Sequence, residues 1–438
     1  MTSTAPHLAG NYAPVTEELT AHDLPVTGQI PAELAGWYLR NGPNPQDAAS
    51  GHWFFGDGMI HGVRLEAGRA VAYRNRWVRT RQFTDNARMR DEHGNFDLTV
   101  GSANTHVVRH AGRTLALVES SYPYELTLAA DRALDTVGPY DFDGRLRTAM
   151  TAHPKTCPTT GELHFFGYGI ADEPYLTYHR ADADGNLAIS RAVDVPASTM
   201  MHDFNLTRSH VVFMDLPVVF DEALTASGAM PYRWDDGYGA RLGVLRRDDP
   251  HGRVRWFPVD PCYVFHTLNA HDDGNHIIIH VMRYPELWRR AEDGTTARTE
   301  ATLWRWTIDL STGTVYEEQL DDRPGEFPRL DDRLVGLPAR HGHTTSGHAL
   351  RRHDLRTGHV TAHDFGPSRT PGEAAFAPTD TVAGGAGWLL TYVHDATTDR
   401  SDLVILDADN LAAAPVAAIH LPGRVPQGFH GNWLADNP

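Results

Sequence analysis

The sequence has little of several features that define common protein classes. Its 438 residues include two cysteines, Cys157 and Cys262, which excludes a disulfide framework and a cysteine-rich zinc site. We expect both to be buried free thiols. No run of about 18 apolar residues is present, so we expect no membrane-spanning helix. The first ten residues lack a basic segment followed by an apolar run, so we expect no signal peptide and a cytoplasmic protein.

Positive charge is also scarce. Lysine and arginine number 39 against 56 aspartates and glutamates, a formal net charge of −17, which argues against a nucleic-acid partner because phosphate binding needs clustered cations. Hydrophobic residues make up 41% of the chain, a value typical of a globular protein. The 26 histidines exceed what solubility requires, and they suggest a metal site.

Long amphipathic helices are missing, whereas strand–turn–strand patterns recur along the whole chain. Each pattern has alternating β-branched or aromatic residues on both sides of a turn, usually one rich in glycine, aspartate or asparagine. Seven such hairpins are predicted, in residues 61–73, 105–118, 176–189, 243–256, 303–316, 349–362 and 403–419.

The number and spacing of these hairpins predict an all-β protein. A TIM barrel would need interleaved helices, and a sandwich would need fewer hairpins. Antiparallel sheets repeated in this way favour a β-propeller with long loops and short helices that cap one face. Because no linker interrupts the pattern, we predict a single domain over residues 1–438, with residues 1–20 loosely ordered.

Four histidines stand in unusual local contexts, next to glycine, proline, aspartate or aromatic residues: His153, His202, His266 and His430. Each one alone is also typical of a hydrogen-bonded structural histidine. In a propeller, however, residues far apart in sequence meet near the axis, about one from each blade. A metal site there would use single scattered histidines, as these are.

These four segments, together with residues 40–45 (Arg-Asn-Gly-Pro-Asn-Pro) and 53–61 (Trp-Phe-Phe-Gly-Asp-Gly-Met-Ile-His), closely resemble the carotenoid cleavage oxygenase family. The resemblance extends in the same order from about Leu39 to Trp433. It implies a seven-bladed propeller, in agreement with the hairpin count. It also implies that the four histidines bind one non-haem Fe(II) per chain, a metal suited to imidazole ligands.

The resemblance also implies roles for other residues. Glu119, Glu326 and Glu373 would accept hydrogen bonds from His202, His266 and His430 respectively, since ligand imidazoles need an acceptor at the second nitrogen. Thr105 matches a family threonine whose methyl group lies against an open iron position and steers O2. Without the resemblance, Thr105 is simply the first residue of a strand.

The implied reaction is the addition of O2 across a conjugated carbon–carbon double bond, which then breaks to give two carbonyl products. Val118 occupies a position where the lignostilbene branch commonly has a lysine that engages a phenol. This difference favours an apolar polyene or apocarotenoid, but stilbenes and vinylphenols stay open. Residues 218–224 and 284–288 fit two interpretations, an apolar entrance that contacts a membrane or part of the core.

Two other classes of function remain as alternatives. A retinoid-type isomerase would use the same metal ligands without cleaving the substrate, and a metal-free propeller could be a binding module. Other polar residues are interpreted as structural: Lys155 as an exposed charge, and His341 and His343 as parts of a loop. The oligomeric state does not follow from the sequence.

Overall fold

The computed structural model describes residues 6–46, 51–91, 93, 95–129, 131–169, 173–226, 229–290, 296 and 299–436. Strands dominate this part of the chain. Its helices are short: two α-helices, Arg81–Asp85 and Glu222–Ala226, and four 3₁₀ helices, Pro6–Leu8, Gly10–Tyr12, Trp53–Phe55 and Asp332–Leu334. None of the helices described is long and apolar enough to cross a membrane. Both cysteines are free and buried, as predicted.

The first sheet contains strands from the two ends of the chain. In hydrogen-bonding order, the first sheet has the strands Thr20–His22, Arg69–Trp77, Gly58–Glu66, Gly36–Pro43 and Gly431–Ala435. The last strand therefore pairs with an early one, in a register that places Arg40 opposite Gly431. The second sheet has the strands His106–His110, Arg113–Leu117, Tyr124–Leu126 and Thr136–Pro139.

The next three sheets are antiparallel meanders formed by the middle of the chain. The third contains Lys155–Thr156, Leu163–Tyr168, Leu176–Ala181 and Leu187–Ala192. The fourth contains Asn205–Leu206, His210–Asp215, Arg241–Arg246 and Arg255–Pro258, and a separate ribbon pairs Val218–Phe220 with Tyr232–Trp234. The fifth contains Tyr263–Asp273, His276–Tyr284, Thr302–Asp309 and Val315–Asp321.

Two more sheets complete the set. The sixth contains Glu326–Arg329, His341–Ser346, Ala349–Asp354 and Val360–Asp364. The seventh contains Val26–Gly28, Ala417–His420, Arg400–Asp407, Gly387–Asp395 and Arg369–Pro371, and Ala375–Pro378 also pairs with Gly387–Asp395.

Seven sheets of four or more strands are thus present in the described residues, and the predicted seven-bladed β-propeller is confirmed. The strand pairs of all seven predicted hairpins form, each in a different sheet. The interpretation of His341 and His343 as loop residues is wrong, because both lie in the strand His341–Ser346.

Contacts along the chain group it into two compact units. One comprises Met1–Asp141, His343–His353 and His359–Pro438, and the other Phe142–Gly342 and Asp354–Gly358. The first unit contains an apolar cluster around Tyr38, Tyr73 and Leu390. The second contains a cluster around Leu268, Met282 and Leu303. Burial of such side chains drives folding through the hydrophobic effect. A single domain over residues 1–438 stays a prediction.

The N-terminal segment predicted to be loosely ordered has specific contacts from residue 11 onward. The backbone of Val15 exchanges two hydrogen bonds with the side chain of Asn44, both 2.8 Å long. Asn11 accepts a hydrogen bond from the amide of Gln427 at 2.7 Å. Residues 1–5 lie outside the described residues.

Candidate metal centre

Most of the predicted site residues lie at the edge strands of the sheets, one in each sheet. Each is part of an edge strand or precedes one by at most three residues. In sheet order they are His430, Thr105, His153, His202, His266, Glu326 and Glu373. An edge strand has a neighbouring strand on one side only, so the backbone on its other side is not paired within the sheet. Glu119, the exception, lies in the turn after the strand Arg113–Leu117.

Three of the histidines form a tight group within the second unit. The Nε2 atoms of His153 and His202 are 3.1 Å apart. The ring of His266 is centred 5.0 Å from that of His153 and 5.2 Å from that of His202. All three side chains are buried. The rings therefore present their nitrogens to one small volume.

A β-bulge directs His266 out of the regular pleat. The register between Tyr263–Asp273 and its neighbouring strand shifts between Val264 and Thr267, which leaves residues 265 and 266 outside the ladder. Bulges of this kind commonly redirect a side chain at a functional site. The Nδ1 atom of His266 then lies 2.5 Å from a carboxylate oxygen of Glu326, so its Nε2 atom is the one left for a metal.

Glu326 is itself held by two donors. The amide of Phe327 donates to the oxygen that faces His266, at 2.5 Å, and the hydroxyl of Tyr284 donates to the other oxygen, at 3.2 Å. Burial, and then the Glu326 carboxylate, raise the pKa of the Tyr284 phenol well above its ordinary value, so it stays a donor. Phe327 has a φ of 52°, a strained conformation for a bulky residue.

His430 is supported by a second carboxylate. Its Nδ1 atom lies 2.9 Å from Oε1 of Glu373, and the amide of Gly431 donates to Oε2 at 2.8 Å. Glu373 is 2% exposed. A Cβ atom at Gly42 would lie 2.7 Å from the Cα atom of Gly428, so the close approach of the segment before His430 to the strand that contains Gly42 needs glycine at this position.

Thr105 is directly connected to the His430 segment. It is buried, and its carbonyl accepts a hydrogen bond from the amide of His430 at 3.1 Å. Its hydroxyl donates to the side chain of Asn104 at 2.9 Å. Glu119 is partly buried, and its predicted hydrogen bond with His202 stays a prediction.

The four histidines have the donor spacing that a metal requires. Each offers one nitrogen, and the four nitrogens lie within 4.8 Å of one another. Imidazole nitrogens bind divalent transition metals at about 2.0–2.2 Å, so two ligand nitrogens lie about 3–4 Å apart. The Nδ1 atoms of His266 and His430 face carboxylates, the arrangement that orients histidine ligands in metalloproteins. The residues therefore fit a bound metal.

Aromatic side chains flank the histidines in each unit. Phe265 packs edge-on against His202 with centroids 5.3 Å apart, and Phe327 stacks on His266 at 5.5 Å. In the first unit, Phe429 packs against Trp53 with centroids 4.5 Å apart. Apolar walls of this kind suit a conjugated ligand.

Two interpretations of individual segments change with the structure. Lys155 is not an exposed charge, because its ammonium group binds Asp203 at 2.8 Å and its side chain is 18% exposed. In residues 218–224, the side chains of Val218, Val219 and Leu224 are buried, so this part of the predicted entrance belongs to the core.

Comparison with known proteins agrees with this geometry. The family model for the retinal pigment epithelial membrane protein matches residues 12–435. A carotenoid cleavage oxygenase from Mycobacterium tuberculosis is 40% identical over 495 aligned positions, covering 98% of this chain and 97% of the relative. A carotenoid 9,10(9',10')-cleavage dioxygenase from Crocus sativus is 33% identical, with 98% and 89% covered.

Solved structures give the same result. The lignostilbene dioxygenase of Pseudomonas brassicacearum has a TM-score of 0.88 and 30% identity, with 98% of each chain covered. The cobalt-substituted apocarotenoid oxygenase of Synechocystis has a TM-score of 0.85 and 27% identity, with 97% of this chain and 98% of the other covered. The chain therefore belongs to the carotenoid cleavage oxygenase family of dioxygenases that cleave carbon–carbon double bonds.

Proposed function

We propose that this protein is a non-haem iron dioxygenase that cleaves a conjugated double bond of an apolar carotenoid or apocarotenoid and produces two carbonyl compounds. The observation that carries the proposal is the group of four buried histidine nitrogens within 4.8 Å of one another. A bound Fe(II), one per chain, would supply binding and activation of O2. Both oxygen atoms enter the products, so no external reductant is needed.

The protein residues would contribute orientation and exclusion of water. His153, His202, His266 and His430 would bind the metal, and Glu326 and Glu373 would fix two of the rings through the hydrogen bonds described above. Glu119 would do the same for His202. The methyl group of Thr105 would restrict one side of the metal, in line with the burial of this residue.

The choice of substrate rests on the residue at position 118. Val118 is apolar and buried, so the position offers no cation to a phenolate, which favours a polyene. The lignostilbene dioxygenase similarity keeps stilbenes and vinylphenols as the second candidate class. A polyene partitions into membranes, so contact with a membrane surface during uptake is part of the first proposal.

The decisive experiment is an aerobic assay of the Fe(II)-loaded protein with a β-apocarotenal, resveratrol and vinylguaiacol, with products identified by mass. We expect two carbonyl products from the apocarotenal, each carrying one labelled oxygen from ¹⁸O2. Cleavage of resveratrol or vinylguaiacol alone would move the assignment to the second class. An isomerised, uncleaved substrate would indicate an isomerase, and the absence of bound iron in reductively purified protein would refute the proposal. His202→Ala is the metal-deficient control.

A further inference from the structure

Asp203 is a buried carboxylate that the proposed chemistry does not yet use. It directly follows His202 and is 1% exposed. Such burial is costly unless every oxygen is hydrogen-bonded. Here Oδ1 accepts from the ammonium of Lys155 and the amide of Phe204, both at 2.8 Å. Oδ2 accepts from the amide and hydroxyl of Thr267, at 2.9 and 3.2 Å.

The partners of Asp203 come from the segments that carry the other histidines. Lys155 lies two residues after His153, and Thr267 directly follows His266. The carboxylate therefore joins the three segments that bear His153, His202 and His266. The rings of these histidines are 4.6–5.2 Å apart, centre to centre.

The contact with Thr267 also explains the bulge that redirects His266. The strand register shifts on both sides of Thr267, and its amide donates to Asp203. A bulge amide that leaves the ladder needs another acceptor when it is buried. Asp203 supplies that acceptor, so its charge and its position stabilise the local geometry that turns His266 toward the other two rings.

We propose that Asp203 is a positioning residue that holds His153, His202 and His266 in the spacing a metal requires. The inference rests on the proposed function, since it assumes that these histidines bind a metal. Asparagine cannot replace the carboxylate. Its single oxygen could satisfy either the Lys155 and Phe204 side or the Thr267 side, and its amino group would face donors on the other.

The test is a Co(II) titration of metal-free protein, followed by the visible d–d absorption of the bound ion. Removal of a residue that orients metal ligands typically weakens metal affinity by about 10–100-fold. We expect Asp203→Asn to show a loss of this size and an altered d–d spectrum. Asp215→Asn is the matched control, because Asp215 is equally buried and bonded to Arg241 and Tyr238. It meets the His202 segment through the hydroxyl of Thr199, at 3.5 Å and three residues before the histidine.

The outcomes separate the possible explanations. Asp215→Asn should lower the melting temperature and leave Co(II) affinity and spectrum unchanged. Wild-type affinity and spectrum in Asp203→Asn would overturn the inference while the proposed function stands. If wild-type protein binds no Co(II), the inference about Asp203 and the proposed function both fail. If Asp203→Asn does not fold, Lys155→Met decides: weaker Co(II) binding supports the inference, and unchanged binding refutes it.

Discussion

The two histidine–glutamate pairs are alike in composition but differ in their surroundings. Glu373 is 2% exposed, and its two oxygens accept from the ring of His430 and the amide of Gly431. Glu326 has a side chain that is 19% exposed, and it accepts from the ring of His266, the hydroxyl of Tyr284 and the amide of Phe327. The first pair is fixed mainly by backbone and burial. The second pair also has a backbone donor, but its carboxylate is open enough for water to replace part of its hydrogen bonds.

This difference shows that the same chemical pair can be sensitive to different changes. Around His430, the C-terminal strand and glycines next to Arg40 determine the geometry. Around His266, a bulge and a phenol do so. We therefore expect mutations at the two pairs to differ in how they divide their effects between stability and metal affinity.

The largest effect is expected from a chain that ends at Gln427. This deletion removes His430 and the strand Gly431–Ala435, which forms five register pairs with Gly36–Pro43. We expect loss of bound metal and of most folded protein, measured by iron content and thermal unfolding. A chain that ends at Asp436 is the control and should behave as wild type. A stable, iron-replete protein ending at Gln427 would contradict the role of the last strand.

Next in size is the comparison of Glu373→Ala with Glu326→Ala. Both should weaken metal affinity by about 10–100-fold. Glu373→Ala should also reduce the free energy of unfolding of the metal-free protein, by about 1–3 kcal/mol, because it leaves the buried amide of Gly431 without an acceptor. Glu326→Ala should reduce it less, because the amide that loses its acceptor belongs to Phe327, a partly exposed residue. Co(II) titration and denaturant unfolding of both variants test this. Equal losses of stability would show that the two surroundings do not differ energetically.

His179 offers a comparison with the two histidine–glutamate pairs, because its ring faces a hydroxyl group. His179 is buried, its Nε2 atom lies 2.8 Å from the hydroxyl of Thr148, and burial lowers its pKa to about 4. Because the folded-state pKa lies below the unfolded value of about 6.5, stability is present above pH 6.5 and is lost as the pH falls toward 4. This residue alone should cost about 2 kcal/mol between pH 7.5 and 5.

The measurement for His179 is the pH dependence of denaturant unfolding. His179→Gln should have a shallower acid slope than wild type by about that amount, whatever its stability at pH 7.5. Slopes that run parallel from pH 7.5 to 5 would show that His179 does not titrate as its burial implies.

The smallest effect is expected from Tyr284→Phe. The variant removes one hydrogen bond from a phenol to a partly exposed carboxylate. Because this bond is 3.2 Å long, we expect it to contribute about 1 kcal/mol, or about fivefold in metal affinity. Glu326 keeps its contacts with His266 and Phe327. Co(II) affinity and the d–d spectrum are the measurements. A loss as large as that of Glu326→Ala would show that the phenol, and not the carboxylate alone, fixes the His266 ring.

Much of the fold was predictable because it is locally encoded. Alternating side chains and turn residues specify each hairpin over about 15 residues, and all seven predicted hairpins formed. One strand that was interpreted as a loop has a weak local signal. The strand His341–Ser346 has glycine and two histidines near its start, and its polar composition is also typical of a loop.

The site was less accessible to local reasoning. The four histidines stand out by their local contexts, but their role as ligands of one metal and the roles of the three glutamates follow from motifs in series that resemble a known family. Asp203 and Lys155 were not assigned a role, although each lies within two residues of a predicted ligand. An Asp after His202 is compatible with an exposed turn. The structural role of Asp203 depends on its hydrogen bond with Thr267, which lies 64 residues later in the chain.

The sequence by itself thus determined the class of fold and the number of sheets, and it singled out the four histidines whose nitrogens meet. The tertiary structure decided which nitrogen of His266 and His430 faces a carboxylate, that a bulge turns His266, and that Asp203 joins three segments. The physical reason is the distance along the chain over which each interaction acts. Strand and turn preferences act between neighbouring residues, whereas the hydrogen bonds of a buried carboxylate depend on donors that only folding brings within 3 Å.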